Sequence, residues 1–324
     1  MGEQTSRVSF PSRPKIVFLG TPQFALPTLR ALIDEGYHIL SVVTQPDRPK
    51  GRGQKLTPPP VKTLARENNL TILQPRKLDE GFLDLLVPLK PDLLVVIAFG
   101  QIIPGRVLSS ARWGGINIHA SLLPKYRGSA PIQWAIINNE KKTGLTTMCM
   151  DEGLDTGPIL MQQEVDILKG ETAGQLYDRL SCLASGLLIN TLQALSEGAI
   201  EKKKQDDSLA TYAPKLSRDQ GLINWSLPGE RVCGLIRGLD PWPGAFTYWN
   251  GKILKLFGCF LADARQRASV PGRIKGLTEK GLKIETGKGP VIVREIQSPG
   301  KRRLPAREFI RGSRLDSGSI LGKY

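Results

Sequence analysis

Apolar runs of strand length alternate with stretches of helical period along much of this chain. Residues 15–20 read as a buried first strand ending in a turn, and 39–43 as a second strand. Residues 93–98, Leu-Leu-Val-Val-Ile-Ala, form the continuous apolar run of a central parallel strand. Residues 71–73, 116–120 and 145–150 extend the set, with 159–165 as an added antiparallel strand. Between them, 24–36 carries Leu26, Leu29, Leu32 and Ile33 at helical spacing and stops at Gly36. Helices are also expected over 61–69, 81–89, 132–138 and 172–196. The alternation predicts an α/β fold with a doubly wound, Rossmann-like, mostly parallel sheet. Such sheets bind ligands at the carboxyl ends of strands. Gly20, Phe99, Gly100, His119 and the segment after Met150 are therefore expected to border one crevice.

The pattern changes further along. Residues 201–218 are charged and polar and read as a linker or surface excursion. Turn signals then multiply, and Asn250-Gly251 between two apolar-alternating runs marks a hairpin. Short runs at 282–284 and 291–293 alternate with turns, so a small β-barrel is expected. With 324 residues, two domains are the natural division. We assign 1–205 to a catalytic domain with a flexible extension over 1–14, 206–218 to a linker, and 219–324 to a basic barrel.

Charge sharpens this division. The net charge is +15, and residues 215–324 hold +12 of it, from 21 Lys and Arg against 9 Asp and Glu. A second basic region spans 45–62, where Arg48, Lys50, Arg52, Lys55 and Lys62 face only Asp47. Two separate basic regions attract a polyanion. No apolar run reaches the length of a membrane span, and the polar 1–14 stretch does not read as a secretory signal, so a cytoplasmic protein is expected. Cys149, Cys182, Cys233 and Cys259 are widely spaced and, with only two histidines, suit no zinc site. They read as free thiols. Gly20-Thr21-Pro22 lacks a dinucleotide fingerprint, and Gly51-Arg52-Gly53 is not a phosphate-binding loop of the Gly-Lys-Ser/Thr kind.

The candidate chemistry lies in Ile116-Asn117-Ile118-His119-Ala120 and in Gly153-Leu154-Asp155-Thr156-Gly157. Period two puts Asn117 and His119 on one strand face. An amide donor and an imidazole aimed at one point can stabilise an oxyanion and move a proton. Asp155, from another strand end, can orient or charge the imidazole. The set suits acyl or formyl transfer without a covalent intermediate or a metal. His38, beside Tyr37 with no polar cluster, reads as structural.

Asn-x-His-x-Ser-Leu-Leu-Pro-x-x-Arg-Gly, followed by Gly-Leu-Asp-Thr-Gly, resembles the formyltransferases that use 10-formyltetrahydrofolate. The segment 44–53, Thr-Gln-Pro-Asp-Arg-Pro-Lys-Gly-Arg-Gly, and the basic tail resemble the branch of that family acting on methionyl-tRNA. The likeness runs from Ile16 to about Arg311. It implies catalytic roles for Asn117, His119 and Asp155. Ser121, Leu122, Leu123 and Pro124 could form only a tight turn; the resemblance implies instead a loop closing over the folate, and a proline there can hold a cis bond that aims the loop. Phe99, Gly100 and Ile102 would line the pterin pocket. The second domain would be an oligonucleotide-binding-like barrel. The expected partners are 10-formyltetrahydrofolate as co-substrate and initiator methionyl-tRNA, with the protein a monomer.

Residues 45–62 are long for a connection between a strand and a helix, for which about two to six residues are usual. They read either as a mobile solvated loop or as a clamp on the acceptor stem through Arg48, Arg52 and Lys55. In the barrel, Lys301, Arg302, Arg303, Arg307, Arg311 and Arg314 are candidates for phosphate contacts. Trp242 and Trp249 read as core residues rather than base-stacking ones. Arg127 suits a carboxylate ligand or a surface ion pair equally. Two rival functions stand beside this reading: formyl transfer to a nucleotide sugar or small amine, and a non-catalytic tRNA-binding protein.

Overall fold

The computed structural model describes residues 9–51, 53–262, 270–313 and 315–322. They form two compact units. One comprises residues up to Arg127 with Gly144–Val165 and Asp178–Tyr212; the other comprises Gly128–Thr143, Asp166–Tyr177 and the residues from Ala213 onward. Two segments from the first 205 residues thus pack in the second unit.

In chain order the first elements are β1 (Ile16–Gly20), α1 (Leu26–Asp34), β2 (Ile39–Val43), β3 (Arg48–Lys50), β4 (Lys55–Thr57) and α2 (Pro60–Glu67). There follow β5 (Ile72–Leu73), α3 (Glu80–Leu86), β6 (Leu93–Ile97), α4 (Gly105–Leu108) and β7 (Gly115–His119). Then come α5 (Pro131–Ile137), β8 (Lys142–Cys149), β9 (Ile159–Asp166) and α6 (Ala173–Ser196). Proline lies in the first turn of α1, α2 and α5, where its missing N–H costs nothing. Gly36 follows α1 at φ +70°, a left-handed stop that other residues adopt with strain.

The first unit holds a seven-stranded sheet in the order β5-β2-β1-β6-β7-β8-β9. The pairs from β5 through β7 are parallel, and β7 pairs β8 antiparallel. Every residue of β1 and β6 is buried, as their uninterrupted apolar sequences require. Alternate positions Val17, Leu19, Leu94 and Val96 pack with Phe82, Leu86 and Val107 from α3 and α4. This doubly wound sheet agrees with the sequence reading.

In the second unit, α7 (Gly229–Gly238) precedes β10 (Ala245–Trp249), β11 (Lys252–Leu261), β12 (Ile274–Thr278), β13 (Gly281–Ile284), β14 (Val291–Gln297), β15 (Leu304–Pro305) and α8 (Ala306–Arg311). The strands form a six-stranded antiparallel sheet in the order β10-β11-β14-β13-β12, with β15 on β14. The path has β10 and β12 at its ends; among the described residues no ladder joins them, which suits a partly open barrel. Val232, Cys233 and Ile236 of α7 share one core with Leu254, Leu256, Cys259, Val293 and Ile296. The sequence reading had only turn signals in this region, Pro228-Gly229 among them. Pro228 is instead the N-cap of α7.

Candidate active site

Strand β7 carries Asn117 and His119 two residues apart, on one face. Asn117 Nδ2 donates to Asp155 Oδ1 at 3.4 Å. His119 Nδ1 lies 3.6 Å from Asp155 Oδ2, a charge-pair distance longer than a hydrogen bond. His119 Nε2 lies 2.9 Å from the Tyr126 carbonyl oxygen, which can only accept, so Nε2 carries the hydrogen. The side chains of His119 and Asp155 are only 7% and 13% exposed, so little water screens the pair.

Asp155 reaches this face by a route the sequence reading did not foresee. Strand β8 runs antiparallel to β7, with Cys149 opposite Ile116 and Thr146 opposite His119. The segment after Met150 therefore leaves at the opposite edge from His119 and turns back. Asp151 Oδ1 organises that turn, accepting from the Gly153 amide at 3.0 Å and the Thr156 hydroxyl at 2.7 Å. Asp155 itself sits at φ +55°, a left-handed conformation with a cost for any residue but glycine. Gly157 has no room for a Cβ, which would strike the Cys149 carbonyl.

The loop after His119 is fastened to the sheet. The Thr146 hydroxyl donates to the Ser121 carbonyl at 2.7 Å and accepts from the Leu123 amide at 3.2 Å. Gln162 Nε2 reaches both Thr146 Oγ1 and the Leu123 carbonyl at 2.9 Å. Ser121 Oγ donates to the Lys125 carbonyl at 2.6 Å. The Leu123–Pro124 peptide is cis. Leu123 is buried with Met148 and Ile159, while Leu122 and Pro124 are half-buried. Of the other pocket candidates, Gly100 and Ile102 are exposed. Phe99 corrects expectation: its side chain belongs to the core under α3 and α4. Its carbonyl accepts from the Thr21 hydroxyl at 3.0 Å.

Arg127 departs from an ordinary surface pair. It is buried, bonds Gln205 Oε1 through Nε and Nη2 at 3.2 and 2.9 Å, and pairs with Asp207 at 2.7 Å. Gln205 was not singled out by sequence. It stands in the charged stretch 201–218 as the single side-chain amide there, but residue type alone does not show that it turns inward. Its residues up to Tyr212 are stitched into the first unit, with Lys203 pairing Ile159 through the backbone and Thr211 accepting from the Arg127 amide at 2.8 Å.

The basic segment 45–62 is a hairpin rather than a loose loop. Arg48 lies opposite Thr57, and Lys50 opposite Lys55, in β3 and β4. Arg48 and Lys55 are exposed. Arg52 lies outside the described residues. Lys62 binds both oxygens of Asp47 at 2.8 Å and Gln74 donates to it at 2.9 Å, anchoring the hairpin base. These bonds hold the Asp47 carboxyl below the usual carboxylate range. A cavity of about 680 Å³ lies beside the hairpin, lined by Thr21, Arg30, Gln45, Pro59 and Thr63 among others. Its lining does not include Asn117, His119 or Asp155.

In the second unit, Lys301, Arg302, Arg307 and Arg311 are exposed. Arg303 departs from the phosphate-contact expectation. It bonds Asp240 at 2.9 and 3.1 Å, pairs with Glu295 at 2.5 Å, and stacks over Phe257 at 4.0 Å. Two carboxylates already satisfy its charge. Arg314 lies outside the described residues. Trp249 packs on the core as expected, but Trp242 is 60% exposed and corrects the expectation for it. All four cysteines are free; burial pushes the Cys149 thiol up, and burial with the neighbouring Cys233 pushes Cys259 well up. Among the described residues, no helix is long and apolar enough to cross a membrane.

Comparison with known proteins places this chain in a family. The formyl transferase model matches residues 14–192, and the formyl transferase C-terminal domain model matches 215–314. A methionyl-tRNA formyltransferase of Geobacter sulfurreducens is 48% identical over 310 residues, covering 95% of this chain and 97% of its own. One from Citrifermentans bemidjiense is 47% identical, covering 95% and 96%. Among solved structures, the N-formyltransferase from Helicobacter canadensis, in complex with folinic acid and dTDP-3-aminofucose, shares the fold. Its TM-score is 0.66 at 20% identity, covering 86% of this chain and 98% of that one. The chain is thus an enzyme of the methionyl-tRNA formyltransferase family, matching it through both domains.

Proposed function

We propose that this enzyme transfers the formyl group of 10-formyltetrahydrofolate to the α-amine of initiator methionyl-tRNA, for translation initiation. The observation that carries the mechanism is the meeting of Asn117, His119 and Asp155 on one face of β7. The neutral amine attacks the formyl carbon, a C–N bond forms, and the carbonyl oxygen becomes an oxyanion. An amide carries two hydrogens, so Asn117 can hold Asp155 with one and the oxyanion with the other. The bond to N10 then breaks. The amine loses one proton and N10 gains one. His119 Nε2 is bonded to the Tyr126 carbonyl, so the proton His119 moves is the one on Nδ1, facing Asp155. Asp155 holds the ring in that orientation.

Ser121, Leu122, Leu123 and Pro124, with the backbone at Phe99 and Gly100 and the exposed Ile102, form the folate side. Arg48, Arg52 and Lys55 of the basic segment 45–62 are tRNA contacts, and Lys301 and Arg302 of the second unit are phosphate contacts. The functional division is a catalytic domain over 1–205 and a tRNA-binding domain over 219–324, joined by 206–218. The enzyme acts as a cytoplasmic monomer.

The test is direct. The protein is mixed with 10-formyltetrahydrofolate labelled in the formyl group and with methionyl-tRNA, and label is sought on the methionine. Label on a nucleotide amino sugar instead, with none on methionyl-tRNA, would replace the acceptor. Salt dependence gives a second discriminator, since polyanion binding weakens steeply with salt.

A further inference from the structure

Gln205 links the two loops that carry the site. Its Nε2 donates to the carbonyl oxygens of Asp155 and Gly157, both at 2.8 Å. Its Oε1 accepts two bonds from Arg127. Arg127 follows Tyr126, whose carbonyl holds His119 Nε2. Thr211, six residues on, binds the amides of Tyr126 and Arg127 at 2.9 and 2.8 Å. One short stretch of chain therefore grips the turn under Asp155 and the loop that fixes the His119 ring.

We infer that Gln205 is a positioning residue for formyl transfer, holding the Asp155 turn so that its carboxylate faces Asn117 and His119. Asp155 has φ +55°, and an isolated residue leaves that conformation readily. The peptide carbonyls of Asp155 and Gly157 are fixed from one amide, which sets where the intervening backbone runs. Gln205 is 6% exposed, so water does not compete for these bonds. Its amide supplies two donors in one plane and an acceptor behind them, a combination that no carboxylate or aliphatic side chain of that length has. Arg127 holds that amide's orientation by filling the acceptor.

This inference rests on the catalytic reading of Asp155, and a double-mutant cycle separates the two. Turnover of methionyl-tRNA is measured under single-turnover conditions for the parent, Gln205→Met, Asp155→Asn and the double variant. Methionine keeps the length and removes the amide. Gln205→Met should lower the rate about ten- to hundredfold, the scale of a displaced reacting group, with KM for methionyl-tRNA within about twofold. In the Asp155→Asn background the same change should cost less than about threefold, because the group it positions is already lost. Gln205→Glu restores Arg127's acceptor but not the donors. It sets a carboxylate oxygen against the Asp155 and Gly157 carbonyls, so it should stay slow. An equal loss in both backgrounds, or parental rates for Gln205→Met, overturns the positioning role. Near-parental rates for Asp155→Asn alone overturn the catalytic reading itself.

Discussion

The Nδ1 of His119 faces the Oδ2 of Asp155 across 3.6 Å, while Nε2 on the far side of the ring is fixed to the Tyr126 carbonyl. One ring nitrogen is therefore fixed by a hydrogen bond, and the other faces the carboxylate that also accepts from Asn117 Nδ2. His119→Ala should reduce turnover by at least about a hundredfold, the usual scale for one acid–base group. Asn117→Ala should do the same through the oxyanion. Binding of methionyl-tRNA, followed by gel shift or filter retention, should persist in both. Near-normal single-turnover rates in either variant would remove that residue from the chemistry.

Asp155→Asn keeps size and hydrogen bonding but removes the charge facing Nδ1. Catalysis should fall more than folate affinity, which a fluorescence titration reports. Lost affinity with intact chemistry would make Asp155 a pocket wall instead.

Much of this site was legible because period and type coincide. Asn117 and His119 share a face by strand alternation alone, and the apolar 93–98 run required a strand buried on both faces. The Asn250-Gly251 turn was legible too: both residues have positive φ, 48° and 69°, between the paired ends Trp249 and Lys252. What stayed hidden depends on partners distant in sequence. Nothing near Arg303 indicates that Asp240 and Glu295 neutralise it. The β8 direction, and with it the route to Asp155, depends on which strand edge was left free. Gln205 is one polar residue among many until the fold buries it.

Asp47 offers a pH test of the hairpin anchor. Its carboxyl is held below the usual range, first by the bond from Lys62 and then by that from Gln74. A depressed carboxylate contributes stability above its unfolded value, about 3.9, and that contribution is lost as pH falls through the folded value. Carboxyl-carbon NMR should therefore find Asp47 titrating below about 3.9, and Lys62→Ala should move it upward. An unmoved titration would mean that the ion pair does not anchor the hairpin in solution.

Cations of the second unit divide by what already binds them. Lys301 and Arg302 are exposed, so each can exchange water and counterions for a phosphate. Lys301→Ala and Arg302→Ala should each weaken methionyl-tRNA binding and reduce the slope of log affinity against log salt by about 1. Folding should be unaffected, since surface substitutions seldom exceed about 0.5 kcal/mol. Arg303→Ala should behave in the opposite way. Asp240 is buried, and losing the bidentate partner leaves its carboxylate without a countercharge. Breaking such a pair costs about 3 kcal/mol, to which loss of the guanidinium over Phe257 adds. Thermal denaturation should show a large destabilisation, while the salt slope of the fraction still folded stays parental. Double substitution of Arg303 and Asp240 by a matched apolar pair should recover much of the stability, because the uncompensated charge is gone. A reduced salt slope for Arg303→Ala with parental stability would return Arg303 to the RNA-contacting set and make its bonds to Asp240 and Glu295 incidental.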